Sequence, residues 1–129
     1  MRKPARSTLA AAGALALIMG SLSLATQAVS AAEEMASKDS VVEQGKKIAF
    51  DRKKGNCLAC HKIEGGALAG NIGPALVNMK ARFPDKQKLH DQIWDATKSN
   101  PNTVMPPFGK YKILSEDELN KVVEFIYTL

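Results

Sequence analysis

Two stretches of the chain carry apolar residues at helical intervals, and nowhere do apolar and polar residues alternate as they would along a half-buried strand. After Ser40, the residues Val41, Val42, Gly45, Ile48 and Ala49 fall on one helical face. Ser40 followed three residues later by Glu43 reads as a capping box, which predicts the start of this helix, and Gly55 predicts its end. Near the C-terminus Leu119, Val122, Val123 and Ile126 form a second apolar stripe, with Phe125 beside it and a capping box of Ser115 and Glu118 ahead of it. A glycine inside a helix costs about 1 kcal/mol relative to alanine, so Gly45 needs a reason, and close approach of a second helix supplies one. The two terminal helices are therefore expected to cross at Gly45, near Phe125. Between them the pattern predicts a short helix from Ala75 to Arg82 and another from Lys86 to Lys98 that buries Leu89, Ile93 and Ala96. Met79, on the first of these, reads as core filling. Gly65, Gly66, Gly70 and Gly73 ahead of Pro74, and Pro101, Pro106, Pro107 and Gly109 further on, predict irregular loops. The expected fold is all-α, with one domain over residues 39–129 and a flexible lead-in over 32–38.

The first residues follow a different pattern. Arg2, Lys3 and Arg6 precede an uncharged run from Leu9 to Leu24, and small residues then lead to Glu33 and Glu34. That order is expected of a secretory signal peptide over residues 1–31. Val29-Ser30-Ala31 places the expected cleavage after Ala31, with Ala28 and Ala32 as alternatives. The run is short and interrupted by Gly and Ser, which argues against a permanent anchor. The expected product is periplasmic, with no membrane span after processing. The first 31 residues hold three of the 18 basic residues and none of the 13 acidic ones, so the remaining 98 residues have a net charge of +2. The sequence pI of 9.3 is thus partly a property of the leader, and it gives no reason to expect nucleic acid or an anionic membrane as a partner.

A domain of this size with a loop-rich middle and four Phe, two Tyr and one Trp has little with which to build a core. Small domains often depend on a staple or a prosthetic group. The chemistry-bearing residues supply a candidate. Cys57 and Cys60 are the two cysteines, and His61 follows directly. Cys-x-x-Cys-His is the signature of covalent haem attachment, in which each thiol forms a thioether and the next residue turns its imidazole onto the iron. Three other readings exist. A redox dithiol would want a βαβ setting that the pattern lacks. A zinc site would have to combine Cys57, Cys60 and His61 with His90, and adjacent ligands on one tetrahedral ion are awkward. A disulfide across two residues would close a very small loop.

Haem iron needs a sixth ligand or an open position, and methionine there raises the reduction potential. Met35 lies in the lead-in and Met79 on an expected helix. Met105 lies in Val104-Met105-Pro106-Pro107-Phe108-Gly109, where the prolines leave little backbone entropy to lose, and it is the expected ligand, with His90 as the alternative. A ligating histidine usually donates its second ring N–H to an oxygen that fixes its orientation, and the carbonyl of Pro74 in Ile72-Gly73-Pro74-Ala75-Leu76 is the expected acceptor for His61. Phe108, an apolar residue in a polar loop, reads equally as core or as an exposed anchor for a partner. No acid–base or nucleophilic constellation emerges, so no catalytic residue is expected.

Gly45 and Phe50, Cys57-Leu58-Ala59-Cys60-His61, Gly73-Pro74-Ala75-Leu76, Met105-Pro106 and the Phe125 helix together resemble class I cytochromes c. The segments Gly70-Asn71-Ile72-Gly73-Pro74, Met79-Lys80-Ala81-Arg82-Phe83-Pro84, Gln92-Ile93-Trp94-Asp95-Ala96-Thr97, Met105 to Gly109 and Val122 to Tyr127 are similar to the SoxX family, over most of the chain from Val42 to Leu129. The resemblance implies a class I cytochrome c fold, with loops wrapped around one haem c. It also implies a heterodimer with a SoxA-like cytochrome. That SoxAX complex couples thiosulfate oxidatively to a cysteine of the SoxY carrier protein, an L-cysteine S-thiosulfotransferase activity, and passes electrons to an acceptor cytochrome. In that family the sulfur chemistry belongs to the SoxA partner, and this chain would provide electron transfer. A stand-alone electron shuttle donating to an oxidase or reductase is the alternative.

Overall fold

The computed structural model describes residues 37, 38 and 40–129. The expected signal peptide and most of the lead-in lie outside the described residues. The described residues belong to one compact unit, which is all-helical, with no strand among them. The first helix, α1, runs over residues 40–50, and Ser37 and Lys38 are helical as well. Three further helices follow: α2 (Met79–Arg82), α3 (Lys86–Trp94) and α4 (Glu116–Ile126). Single 3-10 turns cover Cys57–Ala59 and Ala96–Lys98.

The terminal helices cross as their apolar faces require. A Cβ at Gly45 would overlap the carbonyl oxygen of Lys121 and sit 3.0 Å from Cβ of Phe125, so only glycine lets the two backbones approach this closely. The Phe50 ring meets Phe125 edge-on at a centroid distance of 5.8 Å. Leu119, Val122, Val123, Phe125 and Ile126 of α4 are all buried, and α3 packs against α4 with Leu89 and Ile93 inside. Ala49, Ile63, Met79, Phe108 and Leu114 complete the core.

The structure corrects four local expectations. Ser40 does not cap α1, because it is itself helical and its hydroxyl accepts from Nε2 of Gln44. Gly55 does not end α1, which stops at Phe50. Instead the chain doubles back so that the Gly55 N–H bonds the carbonyl of Ile48, and a Cβ there would lie 2.8 Å from that oxygen. The helix expected from Ala75 begins only at Met79, because Asn78 takes a left-handed conformation (φ 53°) that helical backbone does not allow. The helix expected to reach Lys98 stops at Trp94, where Asp95 adopts φ −152° and ψ 85° and caps the next turn with its side chain.

The second capping box is present in both halves: the Ser115 hydroxyl accepts from the Glu118 N–H, and the Glu118 carboxylate accepts from the Ser115 N–H. Glu118 also pairs with Lys54, which ties the turn before Cys57 to the start of α4. The Lys54 ammonium, and after it the Ser115 N–H, hold the Glu118 carboxyl below its ordinary value of 4.5. A depressed carboxylate contributes stability above its unfolded pKa and loses it as pH falls through the folded value. Glu118→Gln keeps the cap's hydrogen bond and removes the charge. It is expected to lower the melting temperature at pH 7 and to make no difference once the wild-type carboxyl is protonated; parallel melts across the acid range check this. A constant difference at every pH would show that the charge is not responsible.

Candidate haem site

The segment that carries the cysteines is held by its neighbour in sequence. Asn56 takes a left-handed turn (φ 46°) that asparagine tolerates, and it launches the 3-10 turn of Cys57–Ala59. The loop over residues 70–76 then runs alongside, with Gly70 N–H bonded to Leu58 O at 2.7 Å, Gly73 N–H to Cys60 O at 2.8 Å and Leu76 N–H to Lys62 O at 2.9 Å. This pairing carries Pro74 to His61, where the ring Nδ1 lies 2.7 Å from the Pro74 carbonyl oxygen. A carbonyl only accepts, so Nδ1 carries the proton and Nε2 is left with a free lone pair. A Cβ at Gly73 would come within 2.6 Å of His61 Nδ1, so glycine is what lets this loop pass over the imidazole.

Cys57, Cys60, His61, Pro74 and Met105 all face one cavity of about 690 Å³, within the usual range for ligand and cofactor sites. Its inner wall is apolar, with Leu76, Met79, Phe83, Ile93 and Phe108, while Arg52, Lys53 and Arg82 bring positive charge to it. Ile72, Val104 and Ile113 also line it and are 68, 76 and 42% exposed, so they form an apolar rim.

Each expected site residue can now be located. Cys57 and Cys60 are half-buried beside the cavity. Before haem attachment, burial pushes the Cys57 thiol up to about 11. Among the described residues no group of three or more His, Cys, Asp or Glu side chains is arranged to hold a metal ion directly. Met105 is partly buried against the core, and its N–H bonds Oγ1 of Thr103 at 3.1 Å. Met79 also faces the cavity, but it is 1% exposed and its sulfur accepts from Arg82 Nη1 at 3.3 Å. His90 is not on the cavity. Its ring stacks on Trp94, Nε2 lies 3.1 Å from Glu116 and Nδ1 3.3 Å from Asp91. Phe108 is 8% exposed and belongs to the core, which overturns its reading as an exposed anchor.

Two residues that the sequence reading did not single out stand beside the Met105 loop. Asp95 is 3% exposed and pairs with Lys110 Nζ at 3.0 Å, and it also accepts from the N–H and the hydroxyl of Thr97. These Thr97 bonds first, and Lys110 second, hold its carboxyl below the usual carboxylate range. The available signal was the spacing of Asp95 and Thr97, in which an Asp side chain reaches the backbone two residues on.

Crossed terminal helices around a cavity walled by Cys-x-x-Cys-His define a class I c-type cytochrome. The donor set fits haem c: two thiols and an imidazole at one edge, an apolar wall, and cations for the propionates. The family described as "Cytochrome C oxidase, cbb3-type, subunit III" matches residues 40–126, and the chain belongs to it. It therefore carries covalently bound haem c, the group through which a cytochrome c domain transfers electrons. An Aquifex aeolicus (strain VF5) protein described as an uncharacterized lipoprotein is 32% identical over 76 residues, which is 58% of this chain and 37% of that protein. The match thus spans little more than a third of that relative's length. Among the described residues no helix is long and apolar enough to cross a membrane.

Proposed function

We propose that this chain is an exported monohaem cytochrome that serves as the redox subunit of a SoxAX-like periplasmic complex, with His61 and Met105 as axial iron ligands. The observation that carries the reading is that both cysteines of the chain face the haem cavity. Once they form thioethers no thiol remains, and holding sulfur covalently needs a nucleophile of that kind. Sulfur transfer to a SoxY-type carrier then falls to a SoxA-like partner, and this chain moves the electrons. Its resemblance to SoxX from Val42 to Leu129 supports that division.

When bound, the haem supplies a one-electron redox couple. The protein supplies the rest. Cys57 and Cys60 would hold one edge of the ring, and the Pro74 carbonyl, by taking Nδ1–H, leaves Nε2 of His61 free to bind the iron. Met105 offers a soft thioether, which favours the reduced iron. The apolar wall excludes water, and the rim of Ile72, Val104 and Ile113 leaves an edge open to a redox partner.

The test is to mix the haem-loaded protein with thiosulfate, the carrier protein and an electron acceptor, with and without a SoxA-like cytochrome. A stable heterodimer is expected, with thiosulfate-dependent reduction only when both subunits are present. Reduction by this chain alone would overturn the assignment. A second reading is a stand-alone shuttle donating to an oxidase, the kind of enzyme that the family description names. Failure to bind the second cytochrome, together with ready reduction of a terminal oxidase, would select it.

A further inference from the structure

The segment that carries Met105 follows the end of α3, and its two ends are joined beside Trp94. Gly109 and Lys110 both donate their backbone N–H to the carbonyl of Trp94, each at 3.2 Å. The Gly109 backbone lies against the face of the Trp94 indole, so that a Cβ at Gly109 would come within 2.7 Å of Cζ3. Beside this closure stands the ion pair of Asp95 and Lys110. Between these ends Met105 and Phe108 pack on the core, and Phe108 O accepts from Ile113 and Leu114 beyond the neck. Asn100 N–H bonds Ala96 O, Thr103 N–H bonds Asn100 O, and Met105 N–H bonds the Thr103 hydroxyl, while Pro107 O accepts from Tyr111. The bonds of residues 100–105 stay within the loop, so the position of the Met105 sulfur depends on this packing and on closure of the neck.

We propose that Asp95, through its ion pair with Lys110, is a positioning residue that closes the neck of the Met105 loop and keeps the thioether on the iron. The proposal rests on Met105 being the axial ligand. Asp95 suits the task because its side chain is 3% exposed and already held by Thr97, so it presents a fixed carboxylate to Lys110. Lys110 reaches it from the far strand of the loop with half of its side chain in solvent. Opening the neck frees the loop ends and raises the fraction of molecules in which the sulfur is off the iron.

Imidazole added to the oxidised, haem-loaded full-length protein reads that fraction, because its apparent affinity scales with the population in which the sixth position is free. Lys110→Met removes the charge at a half-exposed side chain and should leave the fold intact. It is expected to tighten imidazole binding by about two- to fivefold, the weight of an ion pair with one half-exposed partner, and Lys110→Arg is expected to restore the wild-type affinity. Asp95→Asn should match Lys110→Met. The melting temperature is followed in parallel, since a purely structural ion pair would lower it and leave imidazole affinity unchanged. Unchanged affinity in Lys110→Met, or an equal increase in Lys110→Arg, would overturn the proposal. Met105→Ala separates the two levels. If it binds imidazole far more tightly than wild type while Lys110→Met does not, the neck proposal fails alone; if Met105→Ala also behaves as wild type, the ligand assignment fails and takes the neck proposal with it.

Discussion

Met105→Ala is expected to abolish the weak far-red band of thioether-ligated ferric haem and to lower the reduction potential. Axial ligation spans roughly 0.8 V across haem proteins, and loss of the thioether should take about 0.1–0.2 V of that range. The direction follows from the soft sulfur, which stabilises reduced iron more than oxidised iron. Two controls sharpen the test. His90→Ala should leave band and potential alone, since His90 is away from the cavity with its nitrogens turned to Glu116 and Asp91. Met79→Leu should do the same, because the Met79 sulfur already accepts from Arg82. Absorption spectra and a redox titration of the three variants check this. If His90→Ala or Met79→Leu shifts the potential and Met105→Ala does not, the ligand is elsewhere.

Gly45→Ala is expected to destabilise the haem-loaded protein even though alanine is the better helix former. The propensity gain is about 1 kcal/mol. Against it stands overpacking, typically ~1–3 kcal/mol and more where nothing yields. Here the obstacle is the Lys121 carbonyl, part of the backbone of α4, with the root of the Phe125 side chain 3.0 Å away. Neither can rotate aside, so the cost lies at the top of that range and the net loss is about 2 kcal/mol. For a domain of this size that corresponds to a fall in melting temperature of roughly 8–15 °C. Gly45→Leu should be worse. A denaturant midpoint for Gly45→Ala at or above wild type would show that the helices do not meet at this residue.

Parts of the fold were legible in the sequence because local signals and long-range needs agreed. The stripe of Leu119, Val122, Val123 and Ile126 and the box of Ser115 and Glu118 mark α4 with no knowledge of its partners, and the structure shows both. Gly45 was informative for the opposite reason, since a helix tolerates glycine inside it when something comes very close. Elsewhere a local signal misled. Ser40 and Glu43 have capping spacing, but the helix already includes Ser40. Asp95 follows Asp91 and Trp94 in a pattern that could continue as helix. It stops there because its carboxylate is used by Thr97 and by Lys110, and the second of these is far along the chain.

The sequence by itself determined the class of the protein, because covalent haem attachment is a local chemistry: two thiols and an imidazole within five consecutive residues suffice to announce it. It also determined the terminal helices, whose periodicity is set by the geometry of a single turn. The tertiary structure alone decided which residues share the cavity. It brought Pro74 to His61 through the pairing of residues 70–76 with the cysteine segment. It turned His90 towards Glu116 and away from the cavity, and it buried Phe108 in the core. The closure of the Met105 loop by Trp94, Asp95 and Lys110 is likewise invisible in any short window of sequence. The physical reason is the same in each case: these contacts join residues distant in the chain, so no local stretch of sequence contains both partners.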